Sequence, residues 1–194
     1  MRNKILAYTC MGLCLAQVAL MLASWLLTAA MPDDFMHSLL SAEGIRWFFG
    51  QFADNLASPW LVWLLVGSIA YGVVVRSGIL RYDSGEYRQR VALRLVFFEF
   101  LAFVVVILLL TLLPHAILLN VMGALFPSSF SQSFIPYVAF AVSVMGCSYG
   151  LMSGRLKGIL GIYEALTTGV RIASPLFLLY VLAVQLVYSI LYLA

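Results

Sequence analysis

The stretch RYDSGEYRQRVALRLVFFEFLAFVVVILLLTLL, residues 81–113, passes from a cationic segment into the run Leu95–Leu113, where Glu99 is the only ionisable side chain. A helix needs about 20 apolar residues to cross the roughly 30 Å hydrocarbon layer of a bilayer. The stretch therefore reads as a membrane crossing entered from a basic loop. Four further runs have the same character: Ile5–Ala30, Pro59–Val75, Phe134–Met152 and Ile172–Ala194. The spacing predicts an all-α, polytopic membrane helix bundle. It is one integral membrane domain over 1–194, with spans at about 5–30, 59–80, 91–113, 134–153 and 172–194.

The cations between these runs alternate. Arg2 and Lys4 precede the first span, Arg76, Arg81, Arg88, Arg90 and Arg94 lie between the second and third, and Arg155, Lys157 and Arg171 lie between the fourth and fifth. The remaining gaps hold Asp33, Asp34, Glu43 and Asp54 against a lone Arg46, and then no charge. Cytoplasmic loops retain the Lys/Arg excess, which predicts five crossings with the amino terminus cytoplasmic and the carboxyl terminus outside. At 64% hydrophobic and 10% charged residues, the composition lies far from the quarter charged of a soluble domain. The net charge of +3 follows from the loop bias, and no basic patch interleaved with aromatics suggests nucleic acid. The first apolar run exceeds the 7–15 residues of a secretory signal core, so an uncleaved anchor is expected.

The loops have patterns of their own. From Ser41, a plausible N-cap, apolar Ile45, Phe48, Phe49, Phe52 and Leu56 recur at helical spacing opposite Glu43, Arg46, Gln51, Asp54 and Asn55. This predicts one amphipathic helix in the outer interface, with Glu43 and Arg46 as an (i, i+3) pair. It could seal the rim of the bundle or act as a gate. Ala116–Phe126 is apolar but too short to cross. It is either re-entrant, placing Asn120, Ser128 and Ser129 along a solute path, or an interfacial elbow. Leu156, Ile159, Leu160, Tyr163 and Leu166 predict an interfacial helix over 155–171, ahead of the last span. Tyr71-Gly72 before Ser77-Gly78 echoes Tyr149-Gly150 before Ser153-Gly154.

Few side chains inside the spans carry chemistry. Glu99 either faces a cavity, as intramembrane carboxylates on ion routes do, or reaches the cytoplasmic edge. Gln185, near the centre of the last span, needs a partner for its amide, from another helix or from a substrate. Gly146, Gly150 and Gly154 form a small-residue stripe for close helix packing, within the chain or in a homodimer. Cys10 and Cys14 share a helical face, but two ligands do not make a zinc site, and no cofactor is expected. There is no phosphate-cradling glycine loop and no His-Glu-x-x-His. Gly150-Leu-Met-Ser153-Gly154 is one residue too long for an intramembrane protease turn, so no enzyme is expected.

The run Ser38-Leu-Leu-Ser41-Ala-Glu43-Gly44-Ile-Arg-Trp47, continued by Asn55, Pro59 and Ser77-Gly78-Ile79, resembles the p-aminobenzoyl-glutamate transporter (AbgT) family. Ser41, Glu43, Gly44, Trp47, Asn55, Ser77 and Gly78 carry the resemblance, over about a fifth of the chain. Members of that family are more than twice this length, and their later substrate-handling motifs have no counterpart in 114–194. The resemblance implies a short or degenerate relative in the bacterial inner membrane. It would be a transporter or transporter subunit acting as an oligomer, a dimer above all, on a small anionic or aromatic solute with ion coupling. The alternative is a non-transporting scaffold or accessory subunit bound to a membrane partner.

Overall fold

The computed structural model describes residues 2–31, 37–112 and 129–193. These form seven α-helices and no strand: α1 (Arg2–Ala30), α2 (Ala42–Gly50), α3 (Phe52–Leu56), α4 (Pro59–Ser77), α5 (Tyr87–Leu112), α6 (Ser129–Met152) and α7 (Gly158–Leu193). Five candidate spans, Lys4–Ala30, Pro59–Arg81, Tyr87–Thr111, Ser133–Met152 and Gly158–Leu193, are long and apolar enough to cross a membrane. The chain is thus an all-α helical bundle of the multi-pass kind. It divides into two compact units, Met1–Leu61 with Ser174–Ala194, and Val62–Ala173.

In the first unit, a turn at 38–41 is fastened to α1. The Leu39 side chain is buried, and its N–H donates to Ser24 Oγ at 3.2 Å. The Thr28 hydroxyl reaches the His37 carbonyl at 3.2 Å. Ser41 caps α2 as expected, its Oγ accepting the Gly44 N–H at 3.0 Å. The amphipathic helix expected from Ser41 onward is two helices, interrupted at Gln51. The break follows Gly50, whose backbone freedom weakens a helix at that point. Glu43 and Arg46 are both exposed and form no ion pair with each other. The Tyr180 hydroxyl on α7 donates to the Leu56 carbonyl at 3.0 Å and meets Ser58 Oγ at 2.6 Å, which ties the end of α3 to α7.

In the second unit, α4 and α7 cross where two glycines face each other. A Cβ on Gly72 would lie 2.3 Å from the Gly169 nitrogen, and one on Gly169 would lie 1.7 Å from the Ser68 carbonyl oxygen. Val73, Leu156 and Ala165 form the buried core beside this crossing, with Cys147 and Leu166 against them. Helix α6 lies along α5. The Tyr137 hydroxyl donates to the Phe103 carbonyl at 2.6 Å, and the Phe103 ring meets those of Tyr137 and Phe140 edge-on.

The two Ser-Gly pairs noted in the sequence serve as matched stops. Gly78 after α4 and Gly154 after α6 have φ of 72° and 78°, the left-handed conformation that commonly ends a helix. The glycine stripe that runs from α6 to the stop after it is met from within the chain at all three positions, a Cβ on Gly154 lying 3.4 Å from Arg88 Nη1. Gly146 faces Val73, and Gly150 is covered by Leu156, whose N–H turns back to the Gly150 carbonyl at 2.8 Å.

The interfacial helix expected at 155–171 and the span expected at 172–194 are one helix, α7. Leu156 precedes it and is withdrawn into the core, so Ile159, Leu160 and Tyr163 remain exposed instead of sharing a face with it. Pro175 removes one backbone donor, but its fixed φ is compatible with a helix, and α7 runs through it.

The glycine crossing yields a prediction. Gly169→Ala should destabilise the protein by about 1–3 kcal/mol through overpacking. Gly67→Ala on the same α4, where a Cβ meets nothing within 4 Å, should be neutral or slightly stabilising. Thermal unfolding of the purified chain in detergent measures both.

Candidate functional site: polar side chains within the spans

Serine and threonine hydroxyls inside the helices are satisfied locally. Thr9 donates to the Ile5 carbonyl, Thr111 to Ile107 and Ser143 to Ala139, each one turn back. Longer amides cannot bend onto their own helix this way and must find partners elsewhere. Gln17 on α1 and Gln185 on α7 are such residues, and the first unit brings them to one place.

Gln185, Ser189 and Tyr192 follow the spacing i, i+4, i+7 and so share a face of α7. The Ser189 hydroxyl, fully buried, donates to the Gln185 carbonyl at 2.8 Å and accepts from Gln17 Nε2 at 2.9 Å. Gln185 is only 5% exposed, yet neither its Oε1 nor its Nε2 has a hydrogen-bond partner among the described residues; the same is true of Gln17 Oε1 and of the Tyr192 hydroxyl. The Tyr192 ring is stacked on Trp47 with centroids 4.3 Å apart, and the His37 ring lies tilted against Tyr192 at 5.5 Å. The result is a polar strip about 10 Å long on α7, bordered by aromatic rings at Tyr192.

Polar atoms left unpaired at this depth are costly. A hydrogen bond between membrane helices contributes about 0.6 kcal/mol on average. One buried polar atom left unpaired costs roughly 1–3 kcal/mol. A single Gln17–Ser189 bond does not offset three unpaired amide atoms.

The other predicted residues are placed as follows. Glu99 is half-buried on α5, with Oε2 shielded and without a hydrogen-bond partner among the described residues. Beside it, α5 carries an apolar groove of about 720 Å³ lined by Leu93, Val96, Phe97, Phe98, Phe100 and Met145. Glu99 and Gln185 fall in different units. Ser129 opens α6, while Asn120 and Ser128, with the whole 114–128 segment, lie outside the described residues.

The positions carrying the family resemblance are structurally constrained. A Cβ on Gly44 would fall 2.1 Å from the Ser38 carbonyl oxygen, Ser41 is the α2 cap, and Trp47 holds Tyr192. Asn55 is buried with Nδ2 unpaired. Ser77 is fully buried, and Gly78 is the stop after α4. Glu43 is exposed.

Sequence reading singled out Gln185 but not Gln17, Ser189 or Tyr192. Gln17 was detectable as a lone amide midway along an apolar span. Its meeting with Ser189, 172 positions away in the chain, was not.

Two further cavities of the second unit differ in character. One, of about 450 Å³, is lined chiefly by apolar side chains, among them Val66, Ile69, Pro136, Phe140 and Leu166, with Ser143 and Ser148. The other, of about 360 Å³, is polar and lies where α4 ends and α7 begins. Comparison of the chain with protein-family models, with curated proteins and with solved structures found no match in any of the three.

The unpaired amide yields a prediction about stability. Gln185→Leu should raise thermal stability by about 1 kcal/mol, because it removes polar atoms that lack partners and keeps the side-chain volume. Unfolding midpoints of wild type and variant in the same detergent check this.

Proposed function

We propose that this protein is a subunit of a membrane transport assembly, carrying a small polar solute along a path that includes the Gln17–Ser189–Gln185 strip. The single observation behind this reading is the set of unpaired amide atoms buried within membrane-spanning helices. Polar groups at such depth are costly and mark solute or ion routes. The resemblance of Ser38–Ile79 to the AbgT family supports a small anionic or aromatic solute, ion coupling, an oligomer and a bacterial inner-membrane setting. The alternation of cationic gaps supports a cytoplasmic amino terminus and an external carboxyl terminus. Glu99 is the candidate coupling carboxylate, because a buried acidic oxygen without a partner is suited to taking up and releasing a cation.

A specific observation favours the second reading, an accessory or scaffold subunit. The most apolar stretch of α1 contains no buried residue, and that of α5 is almost entirely uncovered. These faces suit lipid or a partner helix equally well.

Uptake into proteoliposomes separates the readings. With labelled aminobenzoyl-glutamate outside and an imposed proton or sodium gradient, the wild type should accumulate label. Glu99→Gln should abolish gradient-driven uptake, and Gln185→Leu should reduce it about tenfold or more, the scale of one lost polar contact. Uptake unchanged in Glu99→Gln removes that residue from the mechanism. A wild type without uptake favours the accessory reading.

A further inference from the structure

The polar cavity of the second unit has a lining of mixed character. Arg76, Arg155, Lys157 and Glu164 supply its charge, while Val75, Leu156 and Leu160 supply apolar surface. Three cations against one carboxylate leave the lining at +2. Arg76 is already committed, because its Nη2 is paired with Glu164 Oε2. Arg155 and Lys157 form no ion pair among the described residues.

Arg155 is held in place by the backbone. Its Nη2 donates to the Arg81 carbonyl at 3.4 Å, and its guanidinium lies over Gly78 so closely that a Cβ there would fall 2.2 Å from Nη1. The left-handed stop after α4 thus doubles as the seat of this cation. On the apolar side, Leu160 is 68% and Val75 44% exposed. A pocket with fixed positive charge at one edge and uncovered aliphatic surface at the other matches an amphiphile better than a free anion.

We infer that this pocket seats the phosphate of an anionic phospholipid between Arg155 and Lys157, with an acyl chain lying over Leu160 and Val75. Basic pockets between membrane helices hold lipid headgroups by this combination of charge and apolar contact. The Arg76–Glu164 pair limits the charge of the site, so Glu164 tunes how strongly it holds the lipid. The inference is independent of the transport reading, since it concerns different residues and needs no flux.

Native mass spectrometry of the full chain in detergent, with phosphatidylglycerol and phosphatidylcholine at equal concentration, tests it. The wild type should retain one phosphatidylglycerol in preference to phosphatidylcholine. Retention should fall about fivefold for each cation removed in Arg155→Gln and Lys157→Gln. It should rise by a similar factor in Glu164→Gln, a gain that misfolding cannot produce. Equal retention by wild type and the Arg155→Gln/Lys157→Gln double variant overturns the inference, as does weaker retention in Glu164→Gln. Displacement of the lipid by an equal concentration of inorganic phosphate also overturns it, because the acyl contacts would then contribute nothing.

Discussion

A peptide group without a hydrogen bond costs several kcal/mol in hydrocarbon, where no water can replace the missing partner. Every candidate crossing among the described residues is accordingly a helix, and the glycines of positive φ, Gly78, Gly154 and Gly158, stand at helix ends. The same cost extends to side chains. Hydroxyls avoid it by bonding one turn back on their own helix, as Thr9, Thr111 and Ser143 do. Gln17 Oε1, both amide atoms of Gln185 and Glu99 Oε2 have no such partner among the described residues.

Because lipid tails are as apolar as leucine, the hydrophobic effect cannot hold membrane helices together, and close backbone approach must substitute. In the second unit, Gly72 and Gly169 give that approach for α4 and α7, and Gly146 accommodates Val73. Leu156 plugs the remaining gap over Gly150. With the helices so fixed, the loop after α4 is pinned by polar contacts. Gln89 Oε1 accepts from the buried Tyr149 hydroxyl and from the Asp83 N–H, and Arg155 is lodged on Gly78. A packing device built from glycine therefore ends in a pre-positioned charge.

Much of this architecture was legible because apolar runs of crossing length and the Ser41 cap are local signals. What escaped was set by partners distant in sequence. The stripe Gly146–Gly150–Gly154 announced close packing but not that Val73 and Leu156 would fill it. Gly72 and Gly169 lie in different helices, 97 positions apart, so nothing local marks them as a pair. The cationic gap ending at Arg171 suggested a helix boundary that backbone geometry does not require, and α7 passes through it. Gln185 was visible as a polar residue in an apolar span; the cluster around it depends on α1 and the 38–47 turn meeting α7, which no spacing rule encodes.

The account rests on an odd number of crossings with the cationic gaps on the cytoplasmic side, since that orientation assigns the polar strip and the basic pocket to their surroundings. Adding an epitope tag to each end of the chain and probing intact cells, then permeabilised ones, tests it directly. The carboxyl-terminal tag should be reached by antibody in intact cells and the amino-terminal tag only after permeabilisation. Both tags reached from the same side would contradict it.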